Sequence, residues 1–400
     1  MHFNAIGRVS SDPILGLMSS YSKDNNPNKF DLGVGVYKNN QGFTPILHSV
    51  KLAEQRLVET QITKTYISSH GNRTFGALIS QLVLNTNSAL IHDRRVSVTQ
   101  TPGGTGALRL SADFINHNLK GCNVWLSNPT WPIHETIFAK AGLTVNHYQY
   151  VSTHNRLDIT AMLATLATIP KGDVVLLQAC CHNPTGFDLS QNNWRQVLQI
   201  VRKRQLLPLI DFAYQGFGDG VEQDAWAVRL FAEELPEVLI TSSCSKNFSL
   251  YSDRVGALIV CSADAKKLSN VRSQLANIAC NLWATPPDHG ASVVATILAD
   301  TKLKQVWSNE VEAMRLRIIQ LRSELVKALA LHGLVEQFAH IDTQRGMFSY
   351  TGLSAEQVKQ LRKKYSVYMV SSGRVNIAGI DATRLTILAQ AIADVSNCSK

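Results

Sequence analysis

The chain has 400 residues, 45% of them hydrophobic and 17% charged, with a formal net charge of +9, and that is too much chain for one ordinary core, so two or three domains are expected. No apolar run approaches the roughly eighteen residues of a bilayer-spanning helix, and the basic clusters Arg202-Lys203-Arg204 and Arg362-Lys363-Lys364 lack interleaved aromatics or a nucleic-acid motif, which leaves them as solvated helix faces. The seven cysteines lack metal-ligand spacing and Met1–Asp12 has no basic stretch leading into an apolar core, so a soluble cytoplasmic protein without a metal is expected, with Cys180 and Cys181 as buried thiols.

Along the chain, the first ten residues show no periodicity and read as an arm. Thr44 and Pro45 read as the N-cap and first-turn proline of a helix carrying Ile46, Val50, Ala53 and Leu57 at helical spacing. From Val96 to Cys261 short apolar runs alternate with helical patterns. Strands are predicted at Val96–Gln100, Asn123–Leu126, Val145–Tyr150, Val174–Gln178, Leu207–Asp211, Val238–Ser242 and Ala257–Cys261. A helix is predicted over Gln191–Gln205, capped by Ser190, with Trp194, Val197, Leu198 and Val201 on one face. Such alternation implies an α/β fold, a mainly parallel sheet flanked by helices. After Asp300 the texture changes. Leu303 to Leu331 is one long helical pattern stopped by Gly333, and short elements follow, as in a smaller α+β domain.

Several strand ends carry residues suited to chemistry. Gly103, Gly104 and Gly106 lie between a strand and a helix, where bare backbone N–H groups can bind phosphate, although a glycine-rich turn alone says little. Trp131 follows a strand and suits stacking on a flat ring, or equally core packing. Asn183 precedes Pro184, so its backbone is extended and its amide can face a cleft, or simply make a turn. Asp211 ends an apolar strand with Tyr214 three residues later; a carboxylate there can keep a pyridine nitrogen protonated, or cap the next turn. Lys246 follows Ser243 and Ser245 and precedes Arg254. A desolvated lysine amine condenses with aldehydes, and the two hydroxyls with the arginine suit a phosphate.

Together these segments resemble the class I aminotransferases, in the subgroup holding aspartate and aromatic amino acid aminotransferases. The likeness runs through Asp12–Gly16, Leu32–Lys38, Thr101–Arg109, Cys180–Gly186, Asp211–Gly216, Ser245–Gly256 and Ser372–Gly379, nearly the whole chain. It implies a large domain over 45–313 with a seven-stranded sheet, a small domain from 11–44 and 314–400, and an arm at 1–10. It also implies pyridoxal 5'-phosphate linked to Lys246, which later moves the substrate Cα proton. Asp211 would pair with the ring nitrogen, Tyr214 and Asn183 with the phenolic oxygen, and Trp131 would stack on the ring. Gly103, Gly104, Thr105, Ser243, Ser245 and Arg254 would hold the phosphate. Tyr66 would reach it from a neighbouring subunit, making a homodimer with composite sites. Arg374, helped by the Gly35 backbone, would grip the substrate α-carboxylate.

The resemblance has three departures. Cys280 stands where members that handle aspartate carry an arginine for the distal carboxylate, Gln178 stands where relatives carry a histidine, and Cys244 where they carry an aromatic residue. A thiol cannot replace a guanidinium for a carboxylate, so neutral aromatic or large aliphatic amino acids are expected as donors to a 2-oxo acid. The alternative is an aspartate aminotransferase in which Arg272 or another loop substitutes. A lyase or racemase on the same cofactor, or a non-catalytic binder, is the more distant reading.

Overall fold

A computed structural model describes residues 2–7, 13–152 and 155–397, so Asp12 and part of the expected arm, Met1 and Arg8–Ser10, lie outside the described residues. The chain forms two compact units, the larger comprising Thr44–Arg317 with Gln344–Gly346 and the smaller comprising Met1–Phe43, Ile318–Thr343 and Met347–Lys400. No helix among the described residues is long and apolar enough to cross a membrane.

In the larger unit the seven expected strands form one sheet: β1 (Val96–Pro102), β2 (Val124–Asn128), β3 (Val145–Gln149), β4 (Val174–Gln178), β5 (Leu207–Phe212), β6 (Glu237–Ser243) and β7 (Val255–Ser262). Their order is β1-β7-β6-β5-β4-β2-β3. The pairs β2·β3, β2·β4, β4·β5 and β5·β6 are parallel, while β7 runs antiparallel to both neighbours. The reversal follows from the short Cys244–Arg254 connection, which has no room for the helical crossover a parallel return requires. Strand β4, Val-Val-Leu-Leu-Gln, is buried at every position. A strand covered on both faces reads as a continuous apolar run. On one face the helices Gly103–Asn118, Pro132–Lys140 and Ala265–Trp283 set Leu110, Phe114, Phe138 and Leu275 against Leu126, Leu176, Leu209 and Leu258. The opposite face is covered in part by Arg73–Leu84, Trp226–Glu234 and His289–Ala299. Across the three parallel strands at the sheet centre, Gln178, Asp211 and Thr241 are register partners, so their side chains gather at the C-terminal strand ends.

The helix at Gln191–Arg204 begins as expected at Ser190, whose side chain closes a capping box with Asn193, and it ends where Gln205 turns left-handed at φ 53°. The helix expected from Thr44-Pro45 starts later, at His48, and its N-cap Leu47 supplies no side-chain bond. Glu310 replaces the cap: its carboxylate accepts from the N–H groups of His48 and Ser49 at 2.5 and 3.1 Å. An anion at a helix N-terminus satisfies the open amides and the dipole together. Ile46 is left outside the helix and exposed.

In the smaller unit Phe30–Asp31 pairs in parallel with Val367–Tyr368, and Arg374–Asn376 pairs antiparallel with Phe348–Tyr350. The chain passes from the larger unit to the smaller within the Thr301–Ala330 helix, after which Gly333 takes a left-handed turn at φ 75°. The loop after Phe30 is tied to the Arg374 strand: Asn376 N–H donates to Leu32 O at 2.8 Å, and its side-chain amide donates to Val34 O and Val36 O at 2.7 and 2.8 Å.

Candidate active site

Lys246 lies in the connection between β6 and β7, a segment fixed by its neighbours on both sides. The Trp307 indole donates to Asn247 O at 2.8 Å, Phe248 stacks on Trp307 at 4.6 Å, and the Ser249 hydroxyl donates to Pro45 O at 2.7 Å. The Lys246 amine stands 4.7 Å from the centroid of the Tyr214 ring. The residue keeps some accessible surface, but its amine is enclosed by protein. Desolvation pulls its pKa from 10.5 down to about 8, with Asp211 opposing that shift and Arg254 adding to it.

Asp211 sits at the end of β5, buried, with both carboxylate oxygens committed. Thr241 Oγ1 donates to Oδ1 at 3.0 Å, and His134 Nε2 meets Oδ2 at 3.1 Å. His134 is itself fully buried and its Nδ1 is 2.8 Å from Thr130 Oγ1. In a neutral ring, Nε2 is then the proton donor to Asp211 and Nδ1 the acceptor from the threonine. His134 also stands edge-on to Trp131, with ring centroids 5.2 Å apart. Asn183 Nδ2 donates to the Tyr214 hydroxyl at 3.4 Å. The structure therefore brings together Lys246, Asp211, Tyr214 and Asn183, with Trp131 joined through His134.

The glycine-rich turn and Arg254 converge as well. Gly103 opens its helix at φ 71°, and a Cβ built there would lie 2.5 Å from the Arg254 guanidinium. One at Gly256 would lie 2.5 Å from the Gly103 backbone, so the arginine strand and the helix start touch main chain to main chain. Gly104 packs against Ser243, whose hydroxyl accepts from Ser245 N–H at 3.3 Å. Arg254 donates to Ser245 Oγ and Tyr251 O, both at 3.2 Å, and no carboxylate of the described residues forms an ion pair with it. Thr105 is exposed in the first helical turn. A guanidinium, two hydroxyls and a bare helix N-terminus form a cradle for a dianion.

Arg374 and Gly35 belong to the smaller unit. There the buried Arg374 donates to Gly33 O at 2.6 Å with its guanidinium 4.2 Å over the Phe348 ring, against which Gly35 also packs. Tyr66 is 90% exposed, and Cys280 is exposed near the end of the Ala265–Trp283 helix. Cys244 is fully buried and its thiol pKa is pushed well up by desolvation, which makes it inert. Cys180, Cys181 and Asp224 place potential ligand atoms within 4.8 Å of one another. Asp224, however, accepts from the N–H groups of Gly216, Gly218 and Asp219 at 2.8, 2.9 and 2.7 Å, which is the work of a loop clamp.

The sequence marked Gln178 only as a departure from relatives and gave no role to His134 or Thr241, which the structure places on Asp211. The one available signal for His134 was its place a single helical turn after Trp131.

The family model of class I and II aminotransferases matches residues 27–392. The chain is 66% identical over 394 residues to an aromatic-amino-acid aminotransferase of Pseudomonas aeruginosa, covering 98% of this chain and 99% of that protein. It is 45% identical to an aspartate aminotransferase of Escherichia coli, covering 98% and 100%. Among solved structures, an aromatic-amino-acid aminotransferase of Burkholderia pseudomallei covalently bound to pyridoxal phosphate superposes with a TM-score of 0.96 at 41% identity, covering 99% of each chain.

Proposed function

Since the chain belongs to the class I and II aminotransferases, we propose that Lys246, Asp211 and Tyr214 are its catalytic group, acting with pyridoxal 5'-phosphate in a ping-pong exchange between an L-amino acid and a 2-oxo acid. The observation that carries this is the Lys246 amine, brought by burial to a pKa of about 8 beside the Tyr214 ring. The residues fit the cofactor: the Gly103–Arg254 cradle suits its phosphate, and the doubly clamped Asp211 suits its ring nitrogen.

When bound, pyridoxal phosphate supplies an aldehyde for amine exchange and a ring that accepts electron density from the substrate Cα. The protein does the rest. Lys246 would be the amine that carries the aldehyde, and its Nζ would take the substrate Cα proton and return it. Asp211, prevented by His134 and Thr241 from swinging away, keeps a proton on the ring nitrogen. Asn183 and Tyr214 would donate to the phenolic oxygen, and Trp131 would supply a flat face. Arg254, Ser243, Ser245, Gly103, Gly104 and Thr105 hold the phosphate. Arg374 binds the substrate α-carboxylate bidentately, with Gly35 lending its backbone, which fixes the orientation of the Cα–H bond.

The lowered lysine pKa has a direct test. Only the neutral amine attacks an aldehyde, so cofactor uptake by the apo chain should rise about tenfold per pH unit below the Lys246 pKa of about 8 and level off above it. An ordinary lysine would keep the rate climbing past pH 10. Stopped-flow absorbance from pH 6 to 10 separates the two.

Cys280 favours neutral substrates. An unpaired, partly desolvated carboxylate loses about 2–5 kcal/mol relative to a paired one, roughly thirty-fold to a few thousand-fold in specificity. Specificity constants for phenylalanine, leucine and aspartate test the preference, and a large aspartate preference would overturn it. Cys280→Arg is expected to raise kcat/KM for aspartate by a comparable factor. Product analysis with a 2-oxo acid acceptor separates transamination from elimination or racemisation. Ile46, Val58, Ile62 and Tyr66 are large apolar side chains left exposed, of the kind a second copy covers, which supports a homodimer in which Tyr66 completes the partner's phosphate site. We place the enzyme in the cytoplasm, in keeping with its free cysteines.

A further inference from the structure

We infer that Gln178 is a positioning residue whose carboxamide fixes the Asn183 backbone and so holds the Asn183 side chain on the Tyr214 hydroxyl. This role rests on the cofactor assignment above. Gln178 ends β4, buried and in register with Asp211. Its Oε1 accepts from Asn183 N–H at 2.8 Å and its Nε2 donates to Asn183 O at 3.1 Å, closing a ring of two hydrogen bonds onto a single residue. Between the two residues runs a loop in which Cys181 is left-handed, at φ 52°. The remainder of that loop is pinned by other groups. Cys181 and His182 N–H donate to Asp188 at 2.7 and 2.9 Å, and the His182 ring lies between Ser127 and Thr185 at 2.9 and 2.8 Å.

Gln178 thus acts at Asn183, a residue of the loop whose side chain reaches the Tyr214 hydroxyl. A carboxamide presents its donor and acceptor side by side, matching the N–H and C=O of one residue, and it neither gains nor loses a proton over the working pH range. The nitrogens of an imidazole point apart and cannot close the same ring, and the group titrates near neutrality. The Gln178 contact that holds Asn183 is therefore itself indifferent to pH.

The readout is the pH midpoint of the visible absorbance band of the Lys246-linked cofactor in the holoenzyme. With the Asn183 donor displaced, negative charge on the cofactor's phenolic oxygen is less well stabilised and the neighbouring proton is held more tightly. The midpoint should rise by about one to two pH units in Gln178→Met. Asn183→Ala should shift it at least as far, and the double variant should add nothing, because both changes remove the same contact. An unmoved midpoint in Gln178→Met, or shifts that add in the double variant, overturns the role. If Gln178→Met does not fold, Gln178→Asn, neutral and one methylene too short to close the ring, carries the same comparison. A wild-type holoenzyme without the band, or a band that survives Lys246→Ala, instead overturns the cofactor assignment itself.

Discussion

Lys246→Ala is expected to lower kcat by about four to six orders of magnitude while leaving the fold intact, because in the proposed mechanism one amine serves both as covalent anchor and as proton carrier. The loop around it is held by Trp307, Phe248 and Ser249 and does not depend on the lysine side chain. Circular dichroism and urea midpoints should therefore match those of the parent. Lys246→Arg should be equally dead despite keeping the positive charge, since a guanidinium stays protonated at any working pH. Borohydride reduction of the parent followed by peptide mapping should place the label on residue 246. A variant retaining more than about a hundredth of the parent rate would assign the proton transfer to another group.

Asp211→Asn is expected to cost about a hundredfold to a thousandfold in kcat, the scale of one preorganised electrostatic partner. Asparagine preserves the shape and can still accept from Thr241, so the loss reports charge and not packing. A second readout makes the assignment sharper. The Asp211 carboxylate raises the Lys246 pKa, so its removal should move the pH midpoint of cofactor uptake below about 8. A rate loss without that downward movement would point to a distorted loop instead of a missing charge.

The central strands of the sheet were legible in the sequence because they are short apolar runs, covered on both faces and bounded by turn residues. Strand β4 shows this most plainly, with five residues buried and none alternating. The Gln191–Arg204 helix was legible for a comparable reason, since its cap, Ser190, is local. Where a partner lies far along the chain the sequence is mute. The helix at His48 is started by Glu310, 262 residues away, so Thr44-Pro45 looked like the better beginning. His134 reaches Asp211 across 77 residues, and its spacing to Trp131 could show only a shared helix face. The lysine, the aspartate and the arginine were readable as chemical types at strand ends. The Thr241 half of the clamp on Asp211 exists only once β5 and β6 are in register.

The reversal at β7 has an effect on the enzyme's capacity to change. Lys246 and Arg254 hang from a single hairpin, so the spacing between the proposed covalent tether and the proposed ionic one is set by a short stretch of backbone and requires little loop-closure entropy to establish. Cys280, proposed above to bear on which side chain is accepted, sits on another element, the Ala265–Trp283 helix. Selection can rework that position while both tethers stay at a constant separation, which lets one scaffold exchange amino donors without relearning how to hold its coenzyme.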